Sequence, residues 1–186
     1  MLLEFVFDAV SEVWVLLEIL LIVRSQTRQG EGKIQDRGTQ IILLVVIAGS
    51  VQLSDWMHRF FPVDMPGWLR PAALGILILG LGVRLVAVVT LGSAFSTNVA
   101  TRAGQRLQRR GLYSLVRHPS YLGLELILLA FALHARTWAC LAVILIPSTL
   151  AVLHRIHVEE IALRLAFGTD YEDYSRGTKR LIPGVY

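Results

Sequence analysis

Charged residues and cysteine are both scarce in this chain of 186 residues. Only 17% of the residues are charged, whereas 54% are hydrophobic. So apolar a composition excludes an ordinary soluble domain and favours a membrane protein, and the length predicts a single domain over residues 1–186. Cys140 is the only cysteine, which excludes an intramolecular disulfide framework and a cysteine-based metal site. We interpret Cys140 as a small buried hydrophobic residue.

Long apolar segments are abundant, and five of them predict transmembrane helices, which need about 20 mostly apolar residues each. The first lacks a basic start and a small-residue cleavage site, so it is expected to be a span and not a signal peptide. The link between the last two, residues 134–137, is so short that it predicts an antiparallel hairpin. Residues 1–66 hold the first two spans and residues 67–186 the other three. The predicted spans are Phe5 to Val23, Ile41 to Met57, Trp68 to Leu91, Tyr121 to Leu133 and Trp138 to Leu153.

Basic residues predict the orientation of these spans. Four lie between spans one and two, five between spans three and four and five after span five, fourteen together, whereas three lie on the opposite side. Because basic residues concentrate on the cytoplasmic side, the amino terminus is expected outside and the carboxyl terminus in the cytoplasm. The net charge of +4 is then explained by topology and does not predict nucleic-acid binding.

Polar residues gather at the cytoplasmic ends of the hairpin's two helices. The segment 117–123, Arg-His-Pro-Ser-Tyr-Leu-Gly, precedes the first helix, and Arg155, Glu159 and Glu160 follow the second. Arg155 and Glu159 are one turn apart and share a face, while Glu160 points to a different partner. Ordering polar groups at a membrane boundary is costly, so this cluster predicts a functional site.

A helix that begins at Pro119 places three polar side chains along one stripe. Proline suits the first helical turn because its missing N–H costs nothing there. The stripe then contains His118, Tyr121 and Glu125. Arg84, inside span three, is expected either to extend to the cytoplasmic face or to pair with Glu125.

The cluster offers cations for a carboxylate, carboxylates for an ammonium group or ribose hydroxyls, and aromatic faces for a ring. Tyr171 and Tyr174 near the carboxyl terminus are candidates for a cap over the site. S-adenosylmethionine has all the matching parts, and a nucleotide or a zwitterionic head group fits the residues almost as well. A metal site at His154, His157 and Glu159 is not favoured because the spacing is imperfect.

Short motifs in a fixed order carry a family resemblance over residues 91–186. They are Leu-Gly-Ser-Ala-Phe-Ser at 91–96, Gly-Leu-Tyr-Ser at 111–114, the segment 117–123, Arg-Ile-His-Val-Glu-Glu at 155–160, Phe167-Gly168, Tyr171, and Leu-Ile-Pro-Gly at 181–184. In this order they resemble the isoprenylcysteine carboxyl methyltransferase family and its relatives, the phospholipid N-methyltransferases.

The resemblance implies an integral membrane methyltransferase with an all-α, polytopic fold of five transmembrane helices and a cofactor site on the cytoplasmic side of the last two. It implies that Arg155 faces the methyl acceptor, a lipophilic molecule that enters from the bilayer, in a protein surrounded by membrane lipids. No metal is expected, and the expected location is a bacterial inner membrane. The residues implied to bind S-adenosylmethionine are Gln105, Arg106, Leu107, Gln108, Tyr113, His118, Pro119, Ser120, Tyr121 and Glu159.

Several functions remain open at this stage. A carboxylate acceptor is favoured, with phospholipid amines and small hydrophobic thiols as alternatives. Sterol reductases also contain an Arg-His-Pro-x-Tyr-x-Gly segment and would use NADPH, but Arg155 with Glu159-Glu160 and the brevity of the chain favour a methyltransferase. A membrane subunit or small-molecule sensor without catalytic activity is a third possibility.

Overall fold

The protein is predominantly helical, with every predicted apolar segment in a helix. A computed structural model describes residues 1–27, 33–36, 38–61, 64–92, 99–101 and 107–186, with side chains for residues 1–23, 38–54, 56–57, 59–61, 64–92 and 107–186. A short 3₁₀ helix, Gly111–Ser114, precedes α4. The α-helices are α1 (Leu2–Thr27), α2 (Gly38–Phe60), α3 (Leu69–Leu91), α4 (Pro119–His134), α5 (Trp138–Phe167) and α6 (Thr169–Gly177).

Two short strands, β1 (Lys33–Asp36) and β2 (Val99–Thr101), form an antiparallel ribbon that the sequence analysis did not predict. Ile34 lies opposite Ala100, and the register shifts before Asp36. The ribbon joins the α1–α2 connection to the α3–α4 connection. These two connections therefore lie at the same end of the helices.

By length and composition, two helices within the described residues, α3 and α5, are suited to cross a membrane; α4 and the first part of α2 are apolar but shorter. Large apolar side chains stay exposed on the outside of the helices, including Leu16, Val45 and Leu79. So much exposed apolar surface is typical of a protein whose helices face lipid.

The predicted hairpin is present: α4 ends at His134 and α5 begins at Trp138. Thr137 caps α5, since its hydroxyl accepts a hydrogen bond from the Cys140 N–H. The backbone N–H of Met65, in the α2–α3 connection, donates to the Arg136 carbonyl at 2.6 Å. Connections α2–α3 and α4–α5 thus lie together, at the end opposite the β-ribbon.

Helices α3 and α4 approach closely at a pair of glycines, Gly80 and Gly123. A methyl group added at Gly123 would lie 2.7 Å from the Arg84 backbone nitrogen and 2.8 Å from the Gly80 carbonyl oxygen. The backbone of α3 is thus the close neighbour of Gly123. Small residues let helices in membranes pack backbone to backbone.

We expect Gly123→Ala to destabilise the protein by about 1–3 kcal/mol, because α3 and α4 must separate to admit the side chain. Gly82→Ala is the matched control, since nothing lies within 4 Å of a methyl group there. Alanine is the better helix former by about 1 kcal/mol, so the control is neutral or stabilising. The measurement is the melting temperature in detergent, and equal values for the two variants would contradict the packing argument.

Candidate functional site

The start of α4 is held by the carboxyl-terminal segment of the chain. Pro119 occupies the first turn of α4, as predicted, and His118 precedes it as the N-cap residue without a capping hydrogen bond from its side chain. The backbone N–H of Arg117 donates to the Lys179 carbonyl at 2.8 Å, and that of His118 donates to the Arg180 carbonyl at 3.0 Å. This pairing fixes the backbone from which the predicted cofactor-binding side chains project.

Glu160 on α5 is the centre of an ion-pair network next to the start of α4. Its side chain is almost fully buried, and Arg117 Nε donates to Oε1 at 2.9 Å while Arg180 Nε donates to Oε2 at 3.0 Å. His118 Nε2 lies 3.5 Å from Oε1. Hydrogen bonding to Glu160 raises the pKa of Arg180, so the pair stays ionised. Glu160 therefore joins α5 to both segments that flank the start of α4, and its arginine partners differ from the hydrogen-bond partner of Glu159, which is Tyr121.

Tyr121, Arg155 and Glu159 form a second polar group, next to the first. The Tyr121 hydroxyl donates to Glu159 Oε2 at 2.9 Å and accepts from Arg155 Nε at 2.8 Å. Arg155 is buried, and its Nη1 donates to the Thr39 hydroxyl of α2 at 2.7 Å. His118 Nδ1 lies 3.9 Å from Glu159 Oε2. The predicted acceptor-side and cofactor-side residues therefore meet through one phenol.

Helix α6 covers the segment before α4, as the predicted aromatic cap requires. The buried Tyr174 hydroxyl donates to the Tyr113 carbonyl at 2.6 Å, and the Arg109 guanidinium lies 5.9 Å from the Tyr174 ring centre. Tyr171 is fully buried, with its ring 6.1 Å from that of Tyr174. Burial raises the pKa of Tyr174 to about 12 and also raises the pKa of Tyr113 and Tyr171. These phenols remain protonated at physiological pH and are not general bases.

Arg84 pairs with Glu18 of α1 and contacts Ser120 at the start of α4, so the predicted pair with Glu125 is wrong. Its Nη2 donates to Glu18 Oε2 at 2.7 Å, and Nε donates to the other carboxylate oxygen. Nη1 donates to both the hydroxyl and the carbonyl of Ser120, at 2.9 and 3.1 Å. A cation within an apolar span is stabilised by such pairing.

The remaining predicted cofactor-binding residues lie on the approach to α4 or outside the described part of the chain. Gln105 and Arg106 belong to the latter group. Leu107 is half-buried, and the Gln108 side-chain amide donates to the Thr90 carbonyl at the end of α3 at 3.1 Å. Tyr113 is buried, with its hydroxyl 3.3 Å from the Ala87 carbonyl. Gln108 and Tyr113 thus connect the approach segment to α3.

Two buried polar atoms beside Glu160 are compatible with a polar ligand. His118 Nε2 and the Tyr171 hydroxyl make no hydrogen bond within the described residues. A buried polar group without a partner is costly, and ribose hydroxyls or an amino-acid moiety provide suitable partners. The predicted residues therefore fit S-adenosylmethionine. Within the described residues, no cluster of three or more His, Cys, Asp or Glu side chains could hold a metal ion.

Sequence reasoning missed Thr39 and Glu18 as partners of the site. Glu18 is a carboxylate in an apolar segment and therefore needs a partner, but nothing local in the sequence identifies that partner. Thr39 lies at the start of α2 and has no sequence signal that distinguishes it from any other threonine. Both come from the first two spans, so the amino-terminal half contributes to the site.

Comparison with known proteins identifies a family of similar sequences. The sequence profile described as the isoprenylcysteine carboxyl methyltransferase (ICMT) family matches residues 73–165. A protein-S-isoprenylcysteine O-methyltransferase from Tribolium castaneum is 30% identical over 141 residues, covering 72% of this chain and 50% of that protein. Protein-S-isoprenylcysteine O-methyltransferase B from Arabidopsis thaliana is 29% identical over 133 residues, covering 68% and 66%. This chain thus spans about half to two thirds of the length of these relatives.

The fold is also similar to that of a solved structure, the eukaryotic intramembrane Ras methyltransferase ICMT. The TM-score is 0.70 at 24% sequence identity, and the match covers 97% of this chain and 67% of that one. This likeness extends over all the described helices, including α1 and α2, where the sequence motifs are absent. The protein is therefore an integral membrane protein with the ICMT fold. The profile match over half of its length places this chain in the isoprenylcysteine carboxyl methyltransferase family.

Proposed function

We propose that this protein transfers a methyl group from S-adenosylmethionine to the carboxylate of a lipophilic acceptor. The observation that carries the proposal is the connection of Arg155 through Tyr121 to Glu159. A buried cation on one side and a carboxylate on the other are held at one phenol. Arg155 would bind the acceptor, and Glu159 would bind the cofactor. The relatives' name, protein-S-isoprenylcysteine O-methyltransferase, supports an S-prenylcysteine carboxylate as that acceptor.

For the cofactor, the proposal assigns His118 to Tyr121, Tyr113, Glu159 and the approach segment 105–108. S-adenosylmethionine supplies an already activated methyl group, so the protein's task is to bind and orient. Glu159 would accept hydrogen bonds from hydroxyl or ammonium groups, and His118, whose Nδ1 lies 3.9 Å from Glu159 Oε2, would lie beside them. Precise orientation of two reactants lowers a barrier by roughly 7–11 kcal/mol in well-aligned systems.

For the acceptor, a carboxylate is favoured over an amine or a thiol because it needs no general base. The Arg155 guanidinium would hold a carboxylate oxygen in a charge-assisted hydrogen bond. Opposite charges combine as the methyl group moves, so exclusion of water by α6 and the helix bundle favours the reaction.

The proposal includes five membrane spans, α1 to α5, with the site end in the cytoplasm of a bacterium. The excess of basic residues at that end supports the orientation. The β-ribbon, the start of α4 and Glu160 all lie at one end of the helices, which supports a single cytoplasmic face. The acceptor would then enter laterally from the bilayer, while the cofactor arrives from the aqueous side.

The test is to incubate the purified protein with S-[methyl-³H]adenosylmethionine and N-acetyl-S-farnesylcysteine in lipid vesicles. Base-labile label in the farnesylated product is the expected result, because a methyl ester is hydrolysed by base whereas methylated amines and thioethers are not. Phosphatidylethanolamine is the matched amine acceptor. Base-stable label in the phospholipid, or tight binding of NADPH without binding of S-adenosylhomocysteine, would overturn the proposal.

A further inference from the structure

Glu125 is a carboxyl group inside the apolar part of α4 that the proposed mechanism does not use. The Thr149 hydroxyl of α5 donates to its Oε2 at 3.0 Å. Its Oε1 is buried and has no hydrogen-bond partner within the described residues. A buried oxygen atom of a carboxyl group without a partner costs free energy, so this side chain is poised to accept a hydrogen bond from a donor that the chain itself does not provide.

The position of Glu125 relates it directly to the site. Tyr121 and Glu125 are one helical turn apart on α4, a rise of about 6 Å. Helices α4 and α5 are antiparallel, and each of the two α4 residues is hydrogen-bonded to α5, Tyr121 to Arg155 and Glu125 to Thr149. The polar contacts between α4 and α5 therefore continue from the site toward the middle of the bilayer, in the direction from which a lipophilic acceptor would arrive.

We propose that Glu125 is a specificity-determining residue that accepts a hydrogen bond from an N–H group next to the acceptor carboxylate. The inference rests on the proposed function, in which Arg155 holds that carboxylate. In an N-acylated amino acid, the amide N–H and the carboxylate are attached to the same carbon. Arg155 contacts the Tyr121 hydroxyl, and Tyr121 lies one helical turn from Glu125, so a carboxylate held by Arg155 would place its neighbouring N–H on the side of Glu125. The acceptor would thus be an amino acid whose nitrogen is part of an amide.

The test compares two acceptors that differ in one group. One is N-acetyl-S-farnesylcysteine, and the other is its isosteric analogue with an ester oxygen in place of the amide N–H. For the unsubstituted protein we expect kcat/KM to favour the amide by about 10-fold or more, the usual effect of losing one hydrogen bond to a carboxylate. In Glu125→Leu the ratio should fall toward one, whereas Glu125→Gln, which keeps a carbonyl oxygen, should retain part of the preference.

Ser148→Ala is the matched control, since the Ser148 hydroxyl on the neighbouring position of α5 bonds to carbonyl groups of its own helix; its ratio should equal that of the unsubstituted protein. Binding of S-adenosylhomocysteine checks folding. If Glu125→Leu fails that check, Thr149→Val replaces it, because the carboxyl group then loses the bond that orients it and the ratio should again fall.

Three outcomes distinguish the proposals. An unchanged ratio in Glu125→Leu or Thr149→Val, with cofactor binding intact, overturns the role of Glu125 and leaves the proposed function standing. A loss of S-adenosylhomocysteine affinity in Glu125→Gln would assign the carboxyl group to the cofactor and also overturn it. If the unsubstituted protein binds S-adenosylhomocysteine but methylates neither acceptor, the proposed carboxyl methylation fails, and the inference fails with it.

Discussion

Substitution of Arg155 by alanine is expected to lower methyl transfer to an S-prenylcysteine by at least about 100-fold, the usual effect of removing one charge-stabilising donor from an active site. Arg155 is buried, and its donors extend to Tyr121 and to Thr39 of another helix. Its guanidinium is thus held in place before any acceptor arrives. In the Arg155→Ala variant, the acceptor carboxylate would lose both its counter-charge and the group that orients it.

The same substitution should change the affinity for S-adenosylhomocysteine by less than about threefold, because the cofactor is assigned to Glu159 and to the start of α4. Isothermal titration with S-adenosylhomocysteine and initial rates with N-acetyl-S-farnesylcysteine separate the two effects. Arg155→Lys keeps the charge but loses the planar array of donors, so its rate should lie between those of alanine and the unsubstituted protein.

Arg164→Ala is the matched control for Arg155. It removes a guanidinium from the same helix, but this one is half-exposed and lies 3.6 Å from Glu160. We expect its rate to stay within about twofold of the unsubstituted protein, as for most exposed ion pairs. If Arg155→Ala loses cofactor affinity and turnover in equal measure, Arg155 binds the cofactor or stabilises the structure. The proposed contact between Arg155 and the acceptor is then wrong.

The helices of this protein follow from local sequence, because each depends on a run of apolar residues that is visible in the chain. The hairpin of α4 and α5 was predicted from the short link alone, and Pro119 marked the first turn of α4. The contact between Arg155 and Thr39 could not be predicted, since it depends on how α2 packs against α5. The ribbon of β1 and β2 was missed because its strands are short and far apart in sequence.

Charged residues in apolar segments show what the sequence can predict about a site and what it cannot. Arg84 was conspicuous because a buried cation needs a partner, but the sequence analysis considered only Glu125 as its carboxylate. Only the arrangement of α1 beside α3 selects Glu18. A sequence thus identifies a residue that needs a partner, and three-dimensional register decides which partner it obtains.

The second large effect is expected at Glu160. Glu160→Gln should destabilise the protein by about 3–5 kcal/mol, the usual cost of removing one partner from a buried ion pair. Arg117 and Arg180 both donate to this carboxylate, and a neutral amide would leave two guanidinium groups beside each other without a counter-charge. The melting temperature in detergent should then fall by roughly 10 °C.

Asp173→Asn is the control for Glu160, because Asp173 forms an exposed ion pair with Arg176 at 3.3 Å. Such a pair contributes at most about 1 kcal/mol, so the melting temperature of this variant should hardly change. Equal melting temperatures for the two variants would contradict a stabilising role of the buried network.

Loss of Glu160 should also weaken cofactor binding, although Glu160 is not assigned to the cofactor. The network holds the carboxyl-terminal segment against Arg117 and His118, and the backbone hydrogen bonds to Lys179 and Arg180 depend on that contact. Once the segment separates, His118 loses its position at the start of α4. S-adenosylhomocysteine should therefore raise the melting temperature of Glu160→Gln by less than that of Asp173→Asn at the same concentration, because ligand stabilisation follows affinity. An equal rise would mean that the start of α4 keeps its shape without the buried ion pairs.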